Sequence, residues 1–154
     1  GSLGGILLDH HAGIYEFFRH SLSDVQLDFI LGPTSKTAIF ELENCPVLVS
    51  KILWCKRLEQ RSALIFVDNE AAKSALISSY SSNLVASNFL NAIASLDASE
   101  GALSWYERVP TASNPADSPS RGLAPTPLDG LPPPTEHNVY NTVEMLMTAA
   151  AAGH

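Results

Sequence analysis

The chain has 154 residues, of which 45% are hydrophobic and 16% are charged, and its formal net charge is −7. This length and composition predict one globular domain with a real hydrophobic core, with room for an appended tail. No apolar run approaches the roughly 18 residues of a membrane span, so the sequence predicts a soluble protein without a membrane partner. The negative charge excludes bulk attraction to nucleic acid, which would need a local basic face or bridging cations.

The cysteines and the first residues bear on the cellular compartment. Cys45 and Cys55 stand ten apart on what we interpret as one helix, too far along its axis for a disulfide and without the spacing of a zinc site. The start "GSLGG" has no signal-peptide pattern, and no other targeting signal is seen. These features predict a reduced, intracellular location, in the cytoplasm or the nucleus.

The beginning of the chain predicts a β-hairpin. "GGILLD" (4–9) is a short apolar run that ends on an acid, and "GIYEFFRHSL" (13–22) is rich in aromatic residues and starts with a glycine. The next segment, "DVQLDFILG" (24–32), fits either a short helix or a strand, and "GPTS" ends it.

A helix of about four turns is predicted next. Its apolar residues recur with near-helical spacing: Val47, Leu48, Ile52, Trp54 and Leu58. Because proline is tolerated in the first helical turn, Pro46 predicts a start near Glu43, with "TAIFEL" as an extended approach. Four basic residues fall in one stretch that we interpret as a solvated helix face: Lys51, Lys56, Arg57 and Arg61.

The remaining elements predict a layered α/β domain. "SALIFV" (62–67) is an unalternating apolar run, typical of a strand in the middle of a sheet and covered on both faces. "NEAAKSALIS" and "NLVASNFLNAIASL" have helical patterns, and "ALSWYERV" (102–109) alternates like a strand. Strands with helices on their connections indicate an α/β fold with a mixed central sheet flanked by helices.

The composition changes after Gly122. Residues 123–137 include five prolines and predict a semi-rigid linker after a domain of residues 1–122. Residues 138–154 predict a tail with a short helix, whose Val139, Val143 and Met147 share one side and would pack on the domain or on a neighbour.

Four acidic residues lie at predicted strand ends, helix starts or loops, where active sites are often found. Asp9 ends the first predicted strand, Glu43 opens the long helix, Asp68 ends the strand "SALIFV", and Asp117 lies in "SNPADSPSRG". Strand ends and helix starts can converge at one edge of an α/β sheet, and Mg²⁺ prefers carboxylate oxygens. Each acid alone is also a common turn former or cap, so position by itself leaves both interpretations open.

Three blocks together resemble the ribonuclease H-like domain attached to reverse transcriptases in retroelement polyproteins. The blocks are "ELENCPVLVSKILW", "ALIFVDNEAAKSAL" and "YERVPTASNPADSPSRG", and the resemblance covers about residues 4–122. The third is the most specific, because Arg-Val-Pro, Asn, Ala-Asp and Ser-Arg follow one another in the order of the family's last block. The resemblance implies a ribonuclease H-like layered fold.

The resemblance also implies an activity and its residues. The family's four metal-binding acids fall on Asp9, Glu43, Asp68 and Asp117, with Glu41 as the alternative to Glu43. They would hold two Mg²⁺ or Mn²⁺ ions for hydrolysis of the RNA strand of an RNA–DNA hybrid. Contacts to substrate are implied for three further residues, Asn69, Asn114 and Arg121. An adjoining reverse transcriptase domain is an implied partner.

Other functions stay open at this point. The first block departs from the family, since His10 and His11 follow Asp9 where small residues are usual, and Asn44 and Cys45 follow Glu43. These departures favour a non-catalytic ribonuclease H-like module that serves folding or interaction in a larger protein. A related nuclease or strand-transfer enzyme is a third hypothesis. Adjacent histidines on a strand point to opposite faces and so do not favour one transition metal, and no phosphate-binding loop or nucleophile elbow is present.

Overall fold

The chain opens with the predicted hairpin. The computed structural model describes residues 2–31, 38–67, 70–78 and 84–152. Strands β1 and β2 pair antiparallel from Ser2 opposite Ser21 to Asp9 opposite Ile14. Gly13 closes the turn with φ of +68°, a conformation that costs glycine little. The hairpin prediction is confirmed.

The described strands and helices alternate along the chain. The strands are β1 (Ser2–Asp9), β2 (Ile14–Ser21), β3 (Ser62–Val67), β4 (Leu103–Arg108) and β5 (Thr135–His137). The helices are α1 (Asp24–Leu31), α2 (Ala38–Leu53), α3 (Cys55–Leu58), α4 (Glu70–Ser78), α5 (Leu84–Glu100), α6 (Asp117–Ser120) and α7 (Tyr140–Ala152). The open segment after β2 is therefore helical, and the expected helices after β3 are present.

The strands form a mixed sheet and a separate parallel pair. The first sheet has the order β1-β2-β5, with β1 antiparallel and β5 parallel to β2. In the second, β3 and β4 pair in parallel from Ser62 opposite Leu103 to Val67 opposite Arg108. Helices flank these strands, so the expected α/β class with a mixed sheet is confirmed. None of the described helices is long and apolar enough to cross a membrane.

Helix α2 starts earlier than predicted. It begins at Ala38, so residues 38–42 are helical rather than extended, and Pro46 lies inside the helix. A proline inside a helix costs a hydrogen bond and about 3 kcal/mol. Burial of the residues around it outweighs that cost, because Cys45, Leu48 and Val49 are all within the core. The prediction of a start near Glu43 is wrong for this reason.

Strand β3 does not lie in the middle of a sheet. Among the described strands it pairs with β4 alone, and its exposure alternates along the chain. Leu64 and Phe66 are 58% and 53% exposed. The apolar run therefore reflects apolar residues on both faces, one of which lies in solvent, and the prediction of a strand covered on both sides is wrong.

The basic stretch is only partly a solvated face. Lys51 is 2% exposed, and its ammonium lies 2.7 Å from the carboxylate of Asp97 on α5. Arg57 and Arg61 are exposed but bind acids of the hairpin, Glu16 and Asp9. The prediction of a solvated face is wrong for Lys51, because α2 buries this side against α5 and β4.

The region after Gly122 packs on the rest of the chain. Strand β5 pairs with β2, and the hydroxyl of Tyr15 donates to the carbonyl of Thr126 over 2.5 Å. Helix α7 buries the three residues that the sequence placed on one side, Val139, Val143 and Met147, within the main core. The proline-rich segment is thus fixed at both ends to the domain that precedes it.

Candidate functional site

Asp9 lies at the end of β1 in an ion pair. One carboxylate oxygen accepts from the amide of Ala12 over 3.1 Å, and the other lies 2.9 Å from the guanidinium of Arg61. These contacts, first the Ala12 amide and then Arg61, lower the pKa of Asp9 below its ordinary value. The carboxylate therefore stays ionised, and its two contacts fix the hairpin turn to the start of β3.

Asp117 opens the short helix α6. Its carboxylate lies 3.1 Å from Arg121, one helical turn further on, and is 30% exposed. The side-chain oxygen of Asn114 accepts from the amide of Ala116 over 3.0 Å, which fixes the turn before the helix. Asn114 thus shapes the loop that carries Asp117, and Arg121 lies beside that acid. Asp117 and Asn114 also line a cavity of about 260 Å³ beneath Tyr15.

Two of the remaining predicted residues lie outside the described part. Asp68 and Asn69 follow Val67 directly but are not among the described residues. Glu43 and its alternative Glu41 lie on α2, where the backbone is described and the side chains are not. Within the described residues, no three His, Cys, Asp or Glu side chains are grouped so that they could hold a metal ion.

The carboxyl end of β3 lies beside the end of β4, which leads towards Asp117. Val67, the residue before Asp68, stands opposite Arg108 at the end of β4, and its carbonyl accepts from the amide of Val109 over 2.8 Å. The chain that leads to Asp117 therefore leaves the sheet beside the chain that leads to Asp68. Parallel neighbours bring their carboxyl ends to one edge, where α/β proteins build sites.

Helix α2 carries Glu43 near its beginning and contacts β4 near its end. Lys51 contacts Ser104, which stands opposite Ala63 near the start of β3. Ala63 and Val67 are separated by about 13 Å of strand, and Lys51 and Glu43 by about 12 Å of helix. Glu43 therefore lies about two helical turns before the Lys51 contact, towards the start of α2. Helix α2 also packs against α4, which follows β3.

Asp9 lies at the other end of β3. Its partner Arg61 precedes β3, whereas Asp68 follows it, and the six residues between span about 17 Å. The structure therefore places Asp9 at the start of β3 and not at the end that precedes Asp68. This position follows because the end of β1 lies beside the start of β3.

Glu16 is the centre of a polar cluster that the sequence analysis missed. Its carboxylate accepts from the indole of Trp54 over 3.0 Å and contacts Arg57 and His137 at 2.8 Å each. Burial alone raises the pKa of Glu16, but hydrogen bonds from His137 and Trp54 and the charge of Arg57 outweigh burial and lower it. An acid in the centre of the apolar run "IYEFF" was the available signal. The cluster joins β2 to α2, α3 and β5.

The buried cysteine, Cys45, does not offer a nucleophile. Burial raises the pKa of the Cys45 thiol to about 12, so it stays protonated and unreactive. Cys55 is also free, and no disulfide links the two residues. The polar groups with partly exposed carboxylates, rather than the Cys45 thiol, are therefore the candidates for chemistry.

Comparisons with known proteins do not assign the chain to a family. No protein-family model matches it, and no curated protein or solved structure is significantly similar. The fold defines an α/β protein with a mixed three-stranded sheet and a separate parallel strand pair. The resemblance to ribonuclease H-like domains stays a prediction.

Proposed function

We propose that this chain is a ribonuclease H-like nuclease domain that hydrolyses the RNA strand of RNA–DNA hybrids as part of a retroelement polyprotein. The proposal is supported by the order of the three sequence blocks. It is also supported by one geometric observation, that the segments leading to Asp68 and Asp117 leave the sheet side by side at Val67 and Val109.

Glu43, Asp68 and Asp117 are the residues that would hold a divalent ion. The hard carboxylate oxygens suit Mg²⁺ or Mn²⁺, and the Asp117 carboxylate is partly exposed beside a cavity. A bound ion would activate water for attack on the phosphodiester and stabilise the leaving oxygen. Asp9 is not included in this set, because Arg61 holds it at the opposite end of β3.

Each remaining predicted residue has a role at this end of the sheet. Asn114 fixes the turn that presents Asp117, and the exposed Arg121 can exchange its contact with Asp117 for a substrate phosphate. Asn69 follows Asp68 in the sequence and is proposed to contact the substrate backbone. The chain thus needs little general basic charge, since the ion and Arg121 attract the phosphates locally.

Cleavage of a labelled RNA–DNA hybrid in Mg²⁺ or Mn²⁺ tests this proposal. The wild-type chain should cut only the RNA strand of the hybrid, and Asp68→Asn should abolish cutting. Single-stranded RNA, double-stranded RNA and double-stranded DNA serve as controls. Cutting of all of these substrates would favour a related nuclease of broader specificity over the proposed one.

A non-catalytic interaction module is the second candidate. It is favoured by the observation that both described candidate carboxylates, Asp9 and Asp117, already have an arginine as partner. A folded wild-type protein that cuts no substrate, and whose melting temperature does not rise with Mg²⁺ or Mn²⁺, would establish this alternative instead of the nuclease.

A further inference from the structure

A large cavity lies between two strand edges. It has a volume of about 690 Å³ and is lined by every residue of β3 and by most of β1, but by no residue of β2 or β4. β1 pairs with β2 and β3 pairs with β4. The cavity is therefore bordered on both sides by the strand edges that face away from these partners. We call this cavity, bordered by residues 4–9 and 62–67, the interstrand groove.

The hydrogen bonds of β3 show which backbone groups face the interstrand groove. The amide of Leu103 donates to the carbonyl of Arg61, and the amide of Val109 donates to that of Val67. Alternate residues of a strand direct their backbone groups to the same edge, so the odd-numbered residues of β3 face β4. The amides and carbonyls of Ser62, Leu64 and Phe66 consequently face the groove.

The two borders run in opposite directions. Asp9 at the end of β1 is bound to Arg61 at the start of β3, while Ser2 and Gly4 at the other end of β1 contact Ser120. A strand between them would be parallel to one border and antiparallel to the other. Both pairings occur among the described strands, so neither geometry is foreign to the fold.

Helix α2 forms the floor of the interstrand groove. The α2 residues that line it fall on one face, and Trp54 directly follows the helix on the same side: Pro46, Val47, Ser50, Lys51 and Trp54. Val47 and Trp54 are buried and apolar. The opposite side is open, because Leu64 and Phe66 are exposed there. An occupant with apolar side chains at alternate positions would bury them on α2 and keep the others in solvent.

We propose that the interstrand groove binds an extended polypeptide strand of about six residues, supplied by a partner protein, which joins the two sheets into one. Backbone groups of β3 face the groove on one side, and the edge of β1 that is not paired with β2 lies on the other, so the groove suits an occupant with donors and acceptors on both of its edges. An extended polypeptide has such edges. Exposed strand edges recruit further strands for this reason. Because one face of the bound strand would lie on the apolar residues of α2, the groove favours a strand with apolar residues at every second position.

Amide hydrogen exchange with a synthetic peptide tests this proposal. The probe is a capped seven-residue peptide that alternates valine and threonine, with lysine at each end for solubility. In the free protein, the amides of Ser62, Leu64 and Phe66 should exchange fast, while those of Ala63, Ile65 and Val67 are protected by β4. Millimolar peptide should slow the first set by at least about tenfold. The same peptide with every backbone amide N-methylated should leave the rates unchanged.

A proline variant tests the backbone geometry separately. Leu64→Pro removes an amide that faces the groove, and proline is tolerated at a free strand edge, so this variant should fold and lose peptide protection. Ile65→Pro removes an amide that binds β4 and should lower the melting temperature. If Leu64→Pro fails to fold, the N-methylated peptide still decides between backbone pairing and nonspecific binding.

Three results would overturn the proposal. The first is full protection of Ser62, Leu64 and Phe66 in the free protein, since the groove would then be closed. The second is equal protection by the plain and the N-methylated peptides. The third is protection that appears with protein concentration alone and coincides with a dimer in sedimentation, which would assign the groove to a second copy of the chain.

Discussion

Glu16 is the residue whose charge should matter most for stability. Its carboxylate is buried and binds three partners on different elements, Trp54, Arg57 and His137. Hydrogen bonds to a charged group contribute about 1.5–3 kcal/mol, so Glu16→Gln should lower the free energy of unfolding by about that amount at neutral pH. Urea denaturation at pH 7 measures this loss.

The pH dependence of that loss follows from the direction of the pKa shift. The folded-state pKa of Glu16 lies below its ordinary value of 4.5, so the unfolded chain binds the proton first as pH falls. The stabilisation is therefore present above about pH 4.5 and is lost as pH falls through the folded-state pKa. The difference between wild type and Glu16→Gln should shrink over that range.

Glu136→Gln is the matched control for this prediction. Glu136 pairs with Arg19 on the surface, where both side chains are well exposed. Exposed ion pairs contribute about 0–1 kcal/mol, so this variant should unfold almost like the wild type. A loss at Glu136 as large as the loss at Glu16 would contradict the role assigned to burial.

Lys51 and Asp97 form an ion pair, and substitution of each residue should lower the stability of the protein by a different amount. Lys51 is 2% exposed, whereas Asp97 is 23% exposed. Asp97→Asn leaves a buried ammonium without its counter-charge and should cost about 3–5 kcal/mol. Lys51→Met leaves an acid that water can reach, so its cost should be smaller. Thermal and urea unfolding compare the variants, and a larger loss in Lys51→Met would contradict this order.

Some candidate residues could be predicted from the sequence, and others could not. Asp117 and Asn114 could be selected from the order of a motif, because both act through local contacts within a few residues. The Glu16 cluster could not be assembled in this way, since its partners come from segments separated by up to 121 residues. Asp9 was predicted because it ends a strand. The sequence does not contain the direction of that strand relative to β3, and this direction places Asp9 beside the start of β3.

At the scale of elements, Pro46 lies inside a helix although proline disfavours helix formation, because packing of the neighbouring residues stabilises the helix. It lies inside α2, where it supplies no amide to the preceding turn. Pro46→Ala should restore that hydrogen bond and stabilise the protein by about 1–3 kcal/mol, less the small entropy that proline removes from the unfolded chain. A higher melting temperature is the expected result. An unchanged or lower value would show that the proline ring contributes packing beside the groove that alanine cannot replace.

Most helices and strands could be predicted from the sequence. Which of them pair or pack together could not. Alternation and helical spacing located β1, β2, β4, α4 and α5 close to their observed bounds. "SALIFV" was correctly predicted to be a strand. An apolar run, however, does not show whether another element covers the strand. The start of α2 was misplaced because the rule about proline describes isolated helices, whereas the buried residues around Pro46 decide the outcome here.

At the scale of the molecule, the region after Gly122 is expected to be part of one folding unit. Each of the three buried side chains of this region, Val139, Val143 and Met147, contributes about 1.5–3 kcal/mol. Domains are stable by only about 5–15 kcal/mol, so a chain that ends at Gly122 should unfold or aggregate. The full chain should unfold in one transition. A truncated chain with native stability would instead identify residues 123–137 as the linker that their composition suggests.

We propose that Asp117, with Glu43 and Asp68, holds the metal of a nuclease, while Asp9 stabilises the hairpin. The most direct measurement is the rate at which Asp9→Asn and Asp117→Asn cut the RNA strand of a labelled hybrid in Mg²⁺. Loss of a metal-holding carboxylate should lower the rate by at least about 100-fold in Asp117→Asn, since electrostatic stabilisation of this kind is worth several kcal/mol. Asp9→Asn should keep most of the wild-type rate. Loss of cutting in Asp9→Asn with a retained melting temperature, or full activity in Asp117→Asn, would contradict the account.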